Sequence, residues 1–230
     1  MTDSYPTPPK FAVLLGAILT ALYPILTVLI MVRLVMSPLF LQIEYNRPGF
    51  PDDYYGFTRE DRLNYAPYAL DFLINGEPLT YLSDLTFADG SPLYNERELE
   101  HMDDVQAVTR AAFLIALVGV LIAIALVIYL ARQSATRRTL YRALWRGAVI
   151  TLVILASIII LVVANWDRFF TLFHQLFFAD GTWVFLYSDT LIRLFPEQFW
   201  FDAAITIGGL SGLLALITLL LTRRQMRALS

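Results

Sequence analysis

Four long apolar runs constrain this chain more than any motif does. Residues 11–36, 108–131, 147–166 and 203–222 are nearly free of charge, Arg33 and Arg110 being the exceptions close to run ends. At about 1.5 Å per helical residue, each run is long enough to cross about 30 Å of hydrocarbon. A backbone in hydrocarbon must bond its own polar groups, so each run is predicted to be a helix. With 57% hydrophobic residues in 230, the chain is too apolar for an ordinary soluble domain and too short for several membrane domains. The expectation is an all-α membrane protein, a single integral membrane domain over residues 1–230 with four transmembrane helices. The first run is far longer than the apolar core of a cleavable signal and only Lys10 closely precedes it, so it is expected to remain in the mature protein.

Charge gives the orientation. Arg132, Arg137, Arg138, Arg142 and Arg146 lie between the second and third runs without an acid, and Arg223, Arg224 and Arg227 follow the fourth. By the positive-inside rule both segments are cytoplasmic, which places both termini inside and the connections 37–107 and 167–202 outside the cell membrane. All of the 20 acids except Asp3 fall in those two connections, in agreement. These arginines also suit anionic lipid head groups, so membrane lipids are expected partners.

The first outer connection mixes aromatic residues from Tyr45 to Phe87 with turn pairs such as Asn75-Gly76 and Asp89-Gly90, which is the composition of an ordered extracytoplasmic cap. Residues 59–72 suggest a short helix, and Asn75-Gly76 between two apolar stretches suggests a hairpin. In the second connection, Phe169, Phe170, Phe173, Phe177 and Phe178 surround His174, so a helix here is apolar on nearly all sides and belongs in protein or lipid. Asp189 reads as the N-cap of a short helix through Phe195, with Pro196 as its stop. Phe199, Trp200 and Phe201 form an aromatic belt before the last run.

Cysteine is absent, which removes disulfides, thiolate nucleophiles and sulfur-ligated zinc. The neutral-pH proton-transfer groups therefore reduce to His101 and His174, both on the outer side. His101 stands in Glu100-His101-Met102-Asp103-Asp104-Val105, where a helix would put Asp104 at i+3 to orient the imidazole and Asp103 beside it. The bland alternative is an interfacial histidine on a solvated acidic helix. Phe170, Phe177 and Phe178 would wrap His174 in apolar surface, lowering its pKa and leaving a neutral imidazole able to act as a general base. Its bland alternative is a packed ring bonded to a backbone carbonyl. Arg33 is expected to snorkel to the interface. No glycine-rich phosphate loop, nucleophile elbow or His-Glu-x-x-His helix occurs, so no nucleotide, cofactor or metal is expected. Acidic outer loops disfavour nucleic acid.

The segment His101 to Val105, together with Phe173-His174-Gln175-Leu176-Phe177-Phe178, Trp183 and the stretch Asp189 to Phe199, resembles the Lit family, the bacterial lipoprotein intramolecular transacylases. Span count, orientation and loop lengths extend the resemblance over the whole chain. It implies an acyltransferase that moves the sn-2 O-acyl chain of an S-diacylglyceryl cysteine to the cysteine's own α-amino group, giving the lyso form of a lipoprotein. It also implies that His101 and His174 are the essential pair and that diacylated lipoproteins are the substrates. Gln106 departs from the family, standing where a basic residue is expected in many members. Phe170, Phe173, Phe177, Phe178 and Trp183 are then expected to line an acyl-chain groove. The competing expectations are another outer-leaflet lipid acyltransferase or esterase, using water or a second lipid as acceptor, and a nonenzymatic protein whose cap binds a lipid or partner.

Overall fold

The computed structural model describes residues 9–229. It is helical: α1 (Lys10–Val35), α2 (Pro38–Asn46), α3 (Arg59–Asn75), α4 (Thr80–Ser83), α5 (Glu96–Arg132), α6 (Ser134–Ala164), α7 (Trp166–Phe177), α8 (Thr190–Leu194) and α9 (Glu197–Ala228). Among the described residues extended pairing is limited to the bridge between Thr86 and Pro92. Helices α1, α5, α6 and α9 are long and apolar enough to cross a membrane, as expected for the four runs. Three of the four outrun their apolar stretches, because polar flanks continue the helix once its first turns exist. The 37 residues of α5 would reach about 55 Å, well beyond the hydrocarbon thickness, so its acidic start up to Gln106 lies outside the span.

The chain divides into two compact units. One comprises residues 9–32, 114–164 and 207–229, the apolar lengths of the four long helices. Its interior is thin: Ala12 and Leu19 of α1 pack with Leu126 and Leu130 of α5 and Leu140 and Ala143 of α6. Large side chains such as Leu114, Leu121, Val153, Val163 and Leu220 remain exposed, a surface that only lipid can cover without loss. Small residues and hydroxyls supply the attraction between helices that lipid does not. The Thr20 hydroxyl reaches Gly16 O at 2.9 Å on its own helix and Ala143 O at 3.2 Å on α6. Tyr23 Oη donates to Thr218 Oγ1 of α9 at 2.7 Å. Gly147 lets α6 come so close to α1 that an added Cβ would sit 2.5 Å from Tyr23 Cβ. At the α5–α6 corner, Thr136 Oγ1 donates to Leu130 O and Arg137 Nε to Ala131 O, so carbonyls left over at the end of α5 are bonded.

The second unit comprises residues 33–113 and 165–206. Ser37 caps α2 by accepting from Phe40 N, with Pro38 at the first helical position. A capping box of Thr58 and Asp61 opens α3. The hairpin expected at Asn75-Gly76 does not form. Residues up to Asn75 continue α3, and Gly76, at φ 75°, is its left-handed cap, a conformation a helix end demands as much as a tight turn does. The following apolar stretch forms α4 instead of a strand. The core gathers Ala69 and Phe72 of α3, Leu82, Leu93, Tyr94, Met102 of α5, and Leu191 and Leu194 of α8, with Tyr65, Tyr68 and Phe87 packed around it. The cap's aromatic wealth therefore builds its own interior. Tyr54 and Tyr55 stay outside it, and Arg33 is exposed and donates to Met36 O.

Gly147→Val is expected to destabilise the protein by about 1–3 kcal/mol, because the added methyls meet Tyr23 in a closed packing. Thermal unfolding in detergent reads this, and an unchanged Tm would disprove the close α1–α6 approach.

Candidate active site

His101 owes its place to the way α5 starts. Asn95 and Glu98 form a reciprocal cap: Glu98 N donates to Asn95 Oδ1 at 3.1 Å and Asn95 N to Glu98 Oε2 at 2.8 Å. The other oxygen of Glu98 accepts from Leu191 N at 2.7 Å, capping α8 from outside it. Glu98 is 1% exposed, and its pKa is raised, first by burial and only partly countered by these N–H groups. One turn later on the same stripe, His101 points inward. Further along, Gln106 Nε2 donates to Phe72 O and to Glu77 O at 3.0 Å, so the residue that departs from the family pattern closes the end of α3.

His174 rides on α7. Asn165, in extended conformation, ends α6 and caps α7 by accepting from Arg168 N, so residues 169–177 belong to a separate helix and Phe178 is its extended C-cap. None of the residues of α7 is buried, and Leu172, Phe173, Leu176 and Phe177 face outward. The expected helix apolar on nearly all sides is instead amphipathic: Asp167, Arg168, Thr171, His174 and Gln175 share one face, and protein does not enclose the apolar other. Its outer face has the character of an interfacial helix.

The two imidazoles meet with ring centroids 6.3 Å apart and planes 26° from parallel. Phe178 touches both, at 5.0 Å from His101 and 5.8 Å from His174. Phe185 stands 5.2 Å from His101 on its other side. Phe170 and Trp183 flank His174 at 4.0 and 4.9 Å, and Phe173 lies 5.6 Å away. Phe177 contacts Phe173 and Phe178 but neither histidine among the described ring contacts.

The two rings are held differently. His174 Nδ1 lies 2.8 Å from Phe170 O, and a carbonyl only accepts, so the neutral ring carries its proton on Nδ1 and leaves the Nε2 lone pair free. Burial lowers its pKa, an effect partly offset by that hydrogen bond. His101 is 8% exposed, with Nδ1 lacking a hydrogen-bond partner among the described residues. Burial first, and the neighbouring His174 second, push its pKa down to about 4. Each histidine is therefore an uncharged ring at neutral pH.

Asp104 does not orient His101. Both Asp103 and Asp104 are exposed, and neither bonds the imidazole. An i+3 neighbour is offset around the helix by about 60°, enough to leave the carboxylate in water while the ring turns inward. Asp189 stands at the N-cap of α8 as expected, but its oxygens accept from Leu186 N, Asn95 Nδ2 and Arg97 Nη2 and not from its own helix. The Asn95-x-x-Glu98 spacing was the signal for Glu98. Phe185 had none, because a turn-rich segment brings it to His101. No group of three or more metal-ligating side chains converges among the described residues.

The family model described as lipoprotein intramolecular transacylase Lit matches residues 16–200. An uncharacterised protein of Aquifex aeolicus (strain VF5) is 31% identical over 217 residues, which cover 93% of this chain and 97% of that one. In meso structures of the membrane integral lipoprotein intramolecular transacylase Lit from Bacillus cereus are similar in fold. One has a TM-score of 0.72 at 20% identity, covering 95% of this chain and 97% of the other. Another, with a histidine-to-arginine mutation, has a TM-score of 0.59 at 20% identity over 95% and 93% of the two chains. The helices and these matches define a multi-pass membrane acyltransferase. The chain belongs to the Lit family of lipoprotein intramolecular transacylases, which act on lipoproteins by acyl transfer within one molecule.

Because the folded state keeps His101 uncharged, the unfolded chain binds more protons between about pH 4 and 6.5. The contribution of this ring to stability is therefore fully present above 6.5 and is lost as pH falls through that window. Histidine-labelled NMR should show one ring titrating near 4, and a normal titration near 6.5 for both would contradict the buried pair.

Proposed function

We propose that His101 and His174 are the catalytic pair, and that they move the sn-2 acyl chain of an S-diacylglyceryl cysteine to the α-amino group of the same cysteine. The observation that carries the proposal is the facing of the two uncharged imidazoles at 6.3 Å, with Nδ1 of His174 already committed to Phe170 O. Nε2 of His174 takes a proton from the substrate amine, which then attacks the ester carbonyl. His101, also neutral, offers an N–H to the oxygen that becomes negative in the tetrahedral intermediate. Collapse breaks the bond from the acyl carbon to the glycerol oxygen, and the protonated His174 returns its proton to that oxygen. Of the three ammonium protons, one stays on the amide, one ends on the glycerol hydroxyl and one goes to solvent.

Ester to amide is downhill, so this route needs no nucleotide or other cofactor. Nucleophile and electrophile belong to one molecule, so the protein's task is to hold them in a reactive pose. Phe170, Phe178 and Trp183 touch the rings and suit an acyl chain, while Phe173 and Phe177, partly exposed on α7, extend that apolar surface outward.

The arginine distribution supports an extracytoplasmic site with both termini inside. The absence of cysteine makes the test free of background. In whole cells an impermeant maleimide should label Asp89→Cys, in the cap, and spare Gln133→Cys, between α5 and α6. The reverse pattern would overturn the orientation.

His101→Ala and His174→Ala are each expected to slow conversion of a diacylated lipopeptide to its N-acyl lyso form by roughly 10²–10⁴ fold, with the fold retained. Tandem mass spectrometry of the purified reaction reads the acyl position. Full activity in either variant would remove that residue from the mechanism, and free fatty acid as the main product would mark an esterase.

A further inference from the structure

A second cluster in the outer unit is not used by this chemistry. Arg62 of α3 is 4% exposed, yet it makes no ion pair among the described residues. Its Nε donates to Arg193 O at 2.9 Å and its Nη1 to Pro51 O at 2.6 Å, which leaves part of its donor set unspent. Burial holds its pKa below the usual guanidinium range. The nearby carboxylate of Asp53 is already engaged by Arg193 at 3.0 Å.

The guanidinium of Arg62 lies 5.0 Å from the centre of the Phe50 ring, and that of Arg47 lies 5.4 Å from the same centre. These groups border a cavity of about 270 Å³, with Asp52, Thr58 and Arg59 also on its wall. Two of the three cations there are matched: Arg59 pairs with Glu60, and Arg47 with Glu44 and Asp202. The third, Arg62, is the buried one. A cation that has lost its water and gained only carbonyls is a strong seat for an anion.

The surroundings say which anion. Arg47 bonds Asp202, the residue immediately before the apolar run 203–222. Arg47 also follows α2 directly, and α2 exposes Leu39 at 67% and Ile43 at 57%. The cavity wall thus borders surface suited to hydrocarbon, the level at which lipid phosphates lie. We propose that this cavity is a subsite for the phosphodiester of a membrane phospholipid, held by Arg62. Exposed Asp52 on the rim then faces the outer end of the head group, where an ethanolamine ammonium complements it. The subsite is separate from the histidine pair and does not depend on its assignment.

Native mass spectrometry of the full-length protein in detergent tests this, titrating short-chain phosphatidylethanolamine, short-chain phosphatidylglycerol and inorganic phosphate in parallel. Arg62→Gln is expected to weaken binding of both lipids by about tenfold or more, the effect of losing charge-assisted hydrogen bonds. Arg62 also holds two carbonyls, so a second variant guards against a misfolded first. Asp52→Lys, on the exposed rim, should tighten phosphatidylglycerol binding several-fold by removing repulsion and adding attraction. Lipid binding unchanged by Asp52→Lys overturns the proposal even if Arg62→Gln unfolds, and so does lipid binding unchanged in a folded Arg62→Gln. Inorganic phosphate that binds as tightly as the lipids would assign the site to free phosphate and overturn the lipid source.

Discussion

The second unit depends on the buried carboxylate of Glu98. One of its oxygens closes the first turn of α5 and the other caps α8, so two helix starts that are far apart in sequence share a single acceptor group. His101 is one turn from that carboxylate, and Phe185, which packs on its ring, is in the segment leading to α8. A side chain that serves both helices sets the distance between them more tightly than apolar contact can, because hydrogen bonds fail within a few tenths of an ångström while dispersion is forgiving. Charge-assisted bonds of this kind are each worth about 1.5–3 kcal/mol, against the cost of drying a carboxylate. The arrangement is justified less by net stability than by registration.

The membrane portion was legible from the sequence because lipid imposes a local rule. A segment that crosses hydrocarbon outside a closed barrel must be long, apolar and helical in itself, and the long unbroken apolar run 11–36 fits that rule. The same holds for α3, whose start is written in the Thr58 and Asp61 box, and for the place of α8 after Asp189. Where the reading went astray, a local signal had two meanings. Asn75-Gly76 serves a hairpin or a helix end equally well, and the helix before it, anchored by Phe72 in the core, decided the matter. Asp104 has the right spacing to serve His101, but the carboxylate kept its water and the ring did not.

The proposed catalytic pair was half legible. That both histidines converge followed from orientation and from the resemblance, and the distances agree with it. A carbonyl bond to His174 was one of the two readings of the sequence, but the ring nitrogen and the carbonyl involved, Nδ1 and Phe170 O, are set by a helix whose limits Asn165 decides. Phe185 and the trans cap of α8 by Glu98 could not be read in advance, because contacts across some 90 residues leave no periodicity behind. Chemistry at this site thus combines residue types fixed by composition with protonation states fixed by neighbours.

The two histidines also differ in what anchors them, and α7 brings out the contrast. His101 belongs to the longest helix of the chain and to a hydrogen-bonded corner, whereas the helix beneath His174 has no buried residue at all. The free energy needed to open a segment scales with the contacts it gives up, so α7 has less to hold it than the start of α5. One jaw of the site is therefore fixed and the other compliant. The surroundings of α7 therefore reach His174 more directly than they reach His101, whose neighbours are all protein.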